Sequence, residues 1–207
     1  HCGLMMPVLA DLHLHTTASD GRLPPAQLID LVASRGLRIV SITDHDSTEG
    51  LAEAFQSVRR YPNLTLIPGI ELSTDVPGNE IHILGYSMDY ANEEFQEALQ
   101  LFRESREGRA RRMVEKLRSL GICVEWDRVR QIAGDASIGR PHIAQAMVEK
   151  GYITYPQEAF VRYIGRNGLA YVERNKMTVE EVVNLVARVG GMPVLAHPAQ
   201  IEELDQM

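Results

Sequence analysis

Cysteine is scarce in this sequence. The 207 residues include only two, Cys2 and Cys123, and these do not form a pair with the spacing of metal ligands. The count argues against both a disulfide framework and a cysteine-ligated zinc site. We therefore expect a protein of the reducing cytoplasm.

Long apolar runs and an excess of positive charge are also missing. No apolar stretch is long enough to cross a membrane, and no basic segment followed by an apolar one opens the chain. The formal net charge of -7 argues against a general nucleic-acid coat and is compatible with carboxylates neutralised by bound cations. We expect no membrane association, and no stable protein partner is evident. With 44% hydrophobic residues, the chain can form one sizeable core and a small insert.

The sequence does have a cluster of metal-ligand residue types near its start. Asp11, His13 and His15 alternate with leucines after the apolar run 7–10. Alternate side chains of a strand share a face, so one carboxylate and two imidazoles would line one side of a strand end. Both groups bind borderline divalent metals. The alternative is that one histidine is a hydrogen-bonded core residue and the other is exposed.

Strand and helix patterns alternate over the first 90 residues. Strands are predicted at 37–43, 64–70 and 80–86, with helices from Pro24-Pro25 to Arg35 and from Glu49 to about Arg60. Near the end, Thr178 opens a helix that Gly190-Gly191 ends, and residues 192–196 form a further predicted strand. This succession favours a mostly parallel α/β sheet or barrel.

The pattern between residues 91 and 174 is helical. A long helix is predicted over 92–119, interrupted or bent near Gly108, and short helices follow at 127–133, 141–150 and 156–163. We interpret 91–174 as an all-helical insert packed over one side of an α/β core formed by 7–90 and 175–207. Arg109, Arg112 and Lys116 share a face of the long helix. That face is typical of solvent exposure, and a site for a second phosphate or an RNA backbone is the alternative.

Ionisable residues recur at or near the predicted strand ends. In parallel α/β folds, the carboxyl ends of strands assemble functional sites, whereas solvated residues would be scattered through loops. We therefore predict that one pocket collects His13, His15, Asp20, His45, Glu71, His82 and His197.

Several ordered motifs resemble those of the PHP family, named for polymerase and histidinol phosphatase domains. They are DLHLHT, Asp20-Gly21, ITDHDS, PGIE, EIHILGY and VLAHP. The stretch IGRPHIA, residues 138–144, resembles one branch of that family. This branch contains nucleoside 3',5'-bisphosphate phosphatases and a related 5'-to-3' exoribonuclease.

The resemblance implies a fold and a ligand set. The fold would be α/β, a distorted (β/α)7 PHP barrel carrying the helical insert, with two or three divalent metal ions at its strand ends. The ligands would be His13, His15 and Glu71 for the first metal, Asp20 and His45 for the second, and Glu71, His82 and His197 for the third. The family supplies a further Asp and His from a strand later than any predicted here, so we expect either that the protein continues beyond Met207 or that the site is incomplete. Histidine and carboxylate ligands without cysteine favour manganese, with iron or zinc as alternatives.

The resemblance also implies an activity. It is that of a metal-dependent phosphoesterase in which a metal-bound hydroxide attacks a phosphate ester, with Glu71 and His197 as catalytic residues. The substrate would be a nucleotide such as a nucleoside 3',5'-bisphosphate, or the 5' end of a short RNA. One alternative is a histidinol-phosphate phosphatase, against which the helical insert argues. Another is a non-catalytic metal-binding module, against which the retained ligand-type residues argue.

Arg140 and His142 are candidate substrate-binding residues. Because Arg140 precedes Pro141 at a predicted helix start, its spacing equally fits an exposed residue of the first turn. Arginine is the natural bidentate partner of phosphate, and the resemblance implies that the insert faces the metal site. We predict that Arg140 binds a substrate phosphate and that His142 assists. We expect acidic residues beside the ligands to orient imidazoles from behind; these are Asp11, Asp44 and Asp46.

Overall fold

The strands and helices follow the order expected from the sequence pattern. The computed structural model describes residues 9–76, 79–134, 136–173 and 177–200. Its strands are β1 (Ala10–Leu14), β2 (Ile39–Ile42), β3 (Thr65–Val76), β4 (Asn79–Tyr86) and β5 (Met192–Leu195). Its helices are α1 (Pro25–Ser34), α2 (Leu51–Val58), α3 (Glu93–Ser119), α4 (Trp126–Ala133), α5 (Arg140–Glu149), α6 (Pro156–Ala159) and α7 (Val179–Arg188). Among the described residues, none of these helices has the length and apolar character that crossing a bilayer requires.

The strands form one sheet in the order β1-β2-β3-β4-β5. The first three strands are parallel, as predicted, but β4 runs antiparallel to β3, and β5 antiparallel to β4. The expectation of a mostly parallel sheet is therefore wrong for the second half of the sheet. Only two residues separate Val76 from Asn79, whereas a parallel connection needs a crossover of about a dozen residues.

The strand β3 is longer than predicted. It was expected to end at Ile70, and it continues to Val76 because β4 pairs with it along its whole second half. Glu71 therefore lies within a strand rather than at a strand end, which corrects that expectation. His82 lies within β4, as expected from the predicted strand 80–86. In the register of the pair, Ser73 is opposite His82, two residues along β3 from Glu71. Alternation places Glu71 and Ser73 on one face of the sheet.

Two hydrophobic clusters stabilise the described parts of the chain. The first packs the sheet against α1, α2, α7 and the first half of α3, with Phe95, Leu99 and Phe102 buried. The second joins the last half of α3 to α4 and α5, with Met113 and Met147 fully buried. The separation of the clusters agrees with a helical insert, and the boundaries 91–174 stay a prediction.

Helix α3 connects the two clusters without a break. It begins after Asn92, whose side chain accepts a hydrogen bond from the Phe95 N–H at 3.1 Å, and it runs to Ser119. The interruption predicted near Gly108 is therefore wrong. Burial of Phe102 on one side of that glycine and Met113 on the other outweighs the weak helix propensity of a single glycine, about 1 kcal/mol.

We predict that Gly108→Ala stabilises the protein by about 0.5–1 kcal/mol, because alanine is the better helix former. A Cβ at this position would meet nothing within 4 Å. The measurement is the free energy of unfolding from urea titrations. Gly121→Ala is the matched control, since it has the same open space but a φ of +82°. We expect it to destabilise the protein by roughly 1–2 kcal/mol. A loss of stability in Gly108→Ala would contradict this account of α3.

Candidate metal centre

A buried carboxylate, Glu71, lies at the centre of the candidate site with 1% of its surface exposed. Five histidine rings approach its two oxygens. Three rings have a nitrogen near Oε2: His13 at 3.0 Å, His15 at 3.2 Å and His45 at 3.2 Å. Two rings have a nitrogen near Oε1: His82 at 2.8 Å and His197 at 3.1 Å. An ionised carboxylate at this depth is costly unless it is paired. The ring of imidazoles provides that pairing.

Separate segments of the fold bring these side chains together. His13 belongs to β1 and His15 follows it, whereas His45 follows β2 and forms a single parallel bridge with Glu71. His82 projects from β4 beside β3. His197 follows β5 in a left-handed conformation with φ of 28°.

Asp20 joins the same cluster from the loop after β1. Its Oδ1 lies 3.6 Å from His15 Nδ1, and its Oδ2 lies 3.8 Å from His45 Nε2. All seven residues named from the sequence are therefore neighbours. Their roles as metal ligands stay a prediction.

The donor atoms form three overlapping groups, in each of which one donor atom per residue lies within 4.8 Å of the others. The groups are His13, His15 and Glu71; His15, Asp20 and His45; and His45, Glu71 and His82. The first equals the set predicted for one metal, and the second adds His15 to the pair predicted for another. His197 contacts Glu71 but belongs to none of these three groups.

The chemistry of the cluster fits divalent cations. His45 Nδ1 is buried and, although 3.2 Å from Glu71 Oε2, it has no hydrogen-bond partner among the described residues. A short distance between two atoms that are not aligned for a hydrogen bond contributes little. A buried nitrogen of this kind is costly when left unpaired, and a cation would occupy its lone pair.

Proton affinities in the cluster are strongly shifted. Burial alone would raise the pKa of Glu71, but hydrogen bonds from His13, His15 and His82 outweigh it and hold that pKa below its usual range. Burial, followed by the positive charge of Arg106, lowers the pKa of His45 to about 3. Burial opposes protonation of His15, yet its hydrogen bond to Glu71 and the charge of Asp20 raise its pKa overall. At neutral pH, His45 therefore offers a free lone pair, while His15 holds a proton more readily than an ordinary imidazole does.

The loop that carries Asp20 is held by a second buried carboxylate, Asp44. Its oxygens accept hydrogen bonds from the Thr16 N–H and hydroxyl at 2.7 Å each and from the Ser19 hydroxyl at 2.6 Å. A Cβ on Gly21 would lie 2.3 Å from the His15 carbonyl oxygen, so only glycine fits there. Asp44 thus fixes the loop and does not bond to an imidazole, which corrects the expectation from its position beside His45.

Asp46 and Arg106 form a buried ion pair beside the cluster. Arg106 Nε donates to Asp46 Oδ2, whose side chain is fully buried, and Arg106 Nη2 donates to the Ser73 hydroxyl at 2.8 Å. Asp46 therefore pairs with an arginine and not with an imidazole, contrary to expectation. Sequence reasoning did not identify Arg106, because it is one of many charged residues on α3 and no motif marks it.

Two adjoining cavities open onto the cluster. One of about 380 Å³ is lined by the five histidines, Glu71 and Arg140. The other, about 240 Å³, is lined in part by His45, Arg106, Ser137, Arg140 and His142. Arg140 lines both cavities, with its guanidinium over the Phe160 ring at 5.7 Å. The helical part of the chain therefore faces the cluster, which is the arrangement that a substrate-binding role for Arg140 requires.

The basic face predicted on α3, formed by Arg109, Arg112 and Lys116, is only partly exposed to solvent. Arg109 is 7% exposed, donates from Nε to the Val172 carbonyl at 2.8 Å and lies over the Tyr171 ring. Its burial corrects the solvent-exposed interpretation. Lys116 Nζ donates to the Tyr171 carbonyl at 2.7 Å, and Arg112 is exposed.

Comparison with known proteins assigns the chain to a class. The sequence profile of the PHP domain matches residues 11–187. The chain is 34% identical over 196 residues to the 5'-3' exoribonuclease Rnm of Salmonella typhimurium, covering 94% of this chain and 67% of that protein. It is 33% identical over 193 residues to the 3',5'-nucleoside bisphosphate phosphatase of Chromobacterium violaceum, covering 93% and 67%. The chain thus spans about two thirds of these relatives.

A solved structure agrees with the sequence comparisons. The fold matches a predicted metal-dependent phosphoesterase from Bifidobacterium adolescentis with a TM-score of 0.85 and 32% identity, covering 93% of this chain and 68% of that one. These comparisons place the chain among metal-dependent hydrolases that act on phosphate esters. The chain belongs to the PHP family, and the predicted α/β PHP fold is confirmed. The described residues contribute five strands of that fold.

We predict that Glu71→Gln loses at least one equivalent of bound Mn²⁺. Glutamine keeps the size of the side chain but removes the charge that two metal sites would share. Affinity should fall by at least roughly 10- to 100-fold, the loss known for outer partners of metal ligands. Calorimetric titration with Mn²⁺ measures it, and Glu115→Gln, at an exposed position of α3, is the control. Equal metal content in Glu71→Gln and wild type would exclude Glu71 as a ligand.

Metal affinity should rise with pH. The pKa of His15 is raised above its ordinary value of 6.5 in the metal-free protein, so a proton competes with the metal at pH 6. His45, with a pKa of about 3, adds no competition there. We expect Mn²⁺ to bind about tenfold more tightly at pH 8 than at pH 6, with proton release at the lower pH. Titrations in two buffers of different ionisation enthalpy count the protons. Affinity that is independent of pH, without proton release, would contradict the prediction.

Proposed function

We propose that the protein hydrolyses phosphate esters of nucleotides that carry more than one phosphate, such as a nucleoside 3',5'-bisphosphate, or removes nucleotides from the 5' end of a short RNA. The observation that carries the proposal is that the Glu71 cluster adjoins a cavity lined by arginines. The Glu71 cluster suits divalent cations, and the cavity beside it is lined by arginines. A substrate with two anionic groups would fill both.

The cations would be held by overlapping sets of these donors. His13, His15 and Glu71 would form one site, and Asp20 and His45 a second, each within one of the donor groups. Glu71 and His82 would form a third together with His197, which contacts Glu71 but belongs to none of the donor groups. When bound, divalent cations supply a water nucleophile at neutral pH and polarise the phosphoryl oxygens. Nitrogen and carboxylate donors without cysteine favour manganese, iron or zinc, and we propose manganese. Among these ligands we propose Glu71 and His197 as catalytic, because Glu71 would be shared between sites.

Arg140 would bind the phosphate that does not react. It is the first residue of α5, where the helix dipole favours an anion. Ser137 adds a buried hydroxyl, in the lining of the same cavity, that has no hydrogen-bond partner among the described residues. Phosphate oxygens would satisfy that donor. The three features make the 240 Å³ cavity suitable for a second phosphate.

His142 would assist by holding the start of α5, which lines this cavity, in place. Its Nδ1 accepts a hydrogen bond from the Gly139 N–H at 3.0 Å, and its ring also bonds to the backbone of Ser19. Burial lowers the pKa of His142, so the ring is neutral and can accept at one nitrogen while it donates at the other. The start of α5 is thereby tied to the loop that carries Asp20.

The proposed compartment is the cytoplasm. Support comes from the low cysteine content and from Cys123, which is free and exposed as expected in a reducing environment.

Substrate comparison tests the function directly. Mn²⁺-loaded protein would be assayed with adenosine 3',5'-bisphosphate, a 5'-phosphorylated short RNA and histidinol phosphate. We expect turnover of one or both nucleotide substrates and little of histidinol phosphate. Preference for histidinol phosphate would replace the proposal by the first alternative. Metal binding without any turnover would indicate a binding module.

We predict that Arg140→Ala raises KM for adenosine 3',5'-bisphosphate by about 10- to 100-fold, with a smaller effect on kcat. A hydrogen bond to a charged group contributes roughly 1.5–3 kcal/mol, and Arg140 would contact the bound substrate and the transition state alike. KM for p-nitrophenyl phosphate, which has a single phosphate, should change little. Arg130→Ala, at an exposed position of α4, is the charge-matched control. Equal effects on both substrates would exclude the second-phosphate role.

A further inference from the structure

Arg106 lies where the two hydrophobic clusters meet. On α3 it comes between Phe102, which is buried in the cluster around the sheet, and Ala110, which is buried in the helical cluster. Its side chain is 14% exposed, so the guanidinium is largely enclosed. A buried cation at this junction can fix one part of the protein against the other.

On the sheet side, Arg106 contacts the strand and loop that shape the metal centre. Its Nε donates to Asp46 and its Nη2 to the Ser73 hydroxyl at 2.8 Å. Asp46 Oδ1 in turn accepts the Ser73 N–H at 2.9 Å, and the Asp46 N–H donates to the Glu71 carbonyl at 2.9 Å. Through the side chains of Asp46 and Ser73, Arg106 is therefore linked to the strand segment that carries Glu71.

On the other side, Arg106 packs against the residue that precedes α5. A Cβ placed on Gly139 would lie 3.2 Å from Arg106 Nη1, which shows how closely the guanidinium approaches this backbone. Arg140 follows directly, and Arg106 and Arg140 line the same 240 Å³ cavity. One planar side chain thus lies against both the strand of Glu71 and the start of α5.

We propose that Arg106 is a positioning residue, which sets the location of Arg140 relative to Glu71. The proposal rests on the proposed function, because it assumes that Arg140 binds a substrate phosphate. Asp46 and Ser73 fix the guanidinium, and the guanidinium fixes Gly139. The role requires the rigid fork of arginine, which a lysine ammonium does not reproduce.

The test uses Arg106→Lys, Ser73→Ala and Arg140→Ala, singly and combined, in the Mn²⁺-loaded protein. Lysine keeps a positive charge near buried Asp46, and Ser73→Ala removes a single contact of Arg106 at a residue that does not line the cavity. Arg111→Lys is the control, since Arg111 is exposed on the same helix and lies over Trp126. Urea titrations report whether each variant folds.

We expect Arg106→Lys to raise KM for adenosine 3',5'-bisphosphate about fivefold or more, Ser73→Ala by roughly two- to fivefold, and Arg111→Lys not at all. In the Arg140→Ala background these increases should nearly vanish, because there is no guanidinium left to position. Multiplicative effects in the double variants would overturn the proposal, as would a silent Ser73→Ala. If Arg106→Lys does not fold, Ser73→Ala is compared with and without Arg140→Ala, and multiplicative effects on KM would again overturn the proposal.

Failure of the proposed function would be recognised separately. If the wild type hydrolyses none of the nucleotides, the same variants are compared by calorimetric binding of adenosine 3',5'-bisphosphate. The coupling between Arg106 and Arg140 should then appear in Kd. Independent effects on Kd, or no binding by the wild type, would overturn the positioning role.

Discussion

The structure depends on one buried negative charge, the carboxylate of Glu71. At 1% exposure the carboxylate has lost its water, so its surroundings must supply the compensation. Four imidazoles from β1, β4 and the segments after β1 and β5 do so, with nitrogens 2.8 to 3.2 Å from its oxygens. Each segment is then held by its own contacts, such as the three bonds that Asp44 makes to the Thr16–Ser19 loop. A cluster with so many lone pairs around one carboxylate suits shared divalent cations better than it suits an ordinary core.

The residues of the centre could be found from sequence because their chemistry is local. His13 and His15 alternate along β1, and His45 and His197 follow apolar strands directly, so periodicity and position sufficed. The direction of β4 could have been inferred as well, since the nine residues between the predicted strands 64–70 and 80–86 are too few for a parallel crossover of about a dozen. The prediction that β3 ends at Ile70 placed Glu71 at a strand end, whereas it lies within a strand that pairs with β4.

Other features depend on tertiary contacts that no local pattern records. Arg106 and Arg109 have the appearance of surface residues in a charged helix, yet one pairs with buried Asp46 and the other donates to Val172. Asp44 stands beside His45 in sequence but bonds to a loop 25 and 28 residues earlier. Gly108 weakens the helix locally, and packing on both sides keeps α3 continuous. In each case, burial in three dimensions overrides the local preference.

Anomalous diffraction from crystals of the full-length protein soaked in Mn²⁺ tests the central claim most directly, because it locates the cations themselves. The account predicts at least two anomalous peaks, each about 2.0–2.2 Å from an oxygen of Glu71 and roughly 3.5–4 Å from one another. Histidine nitrogens from the cluster should complete each site. Peaks that do not touch Glu71, or an imidazole cluster that stays without a peak at saturating Mn²⁺, would contradict it.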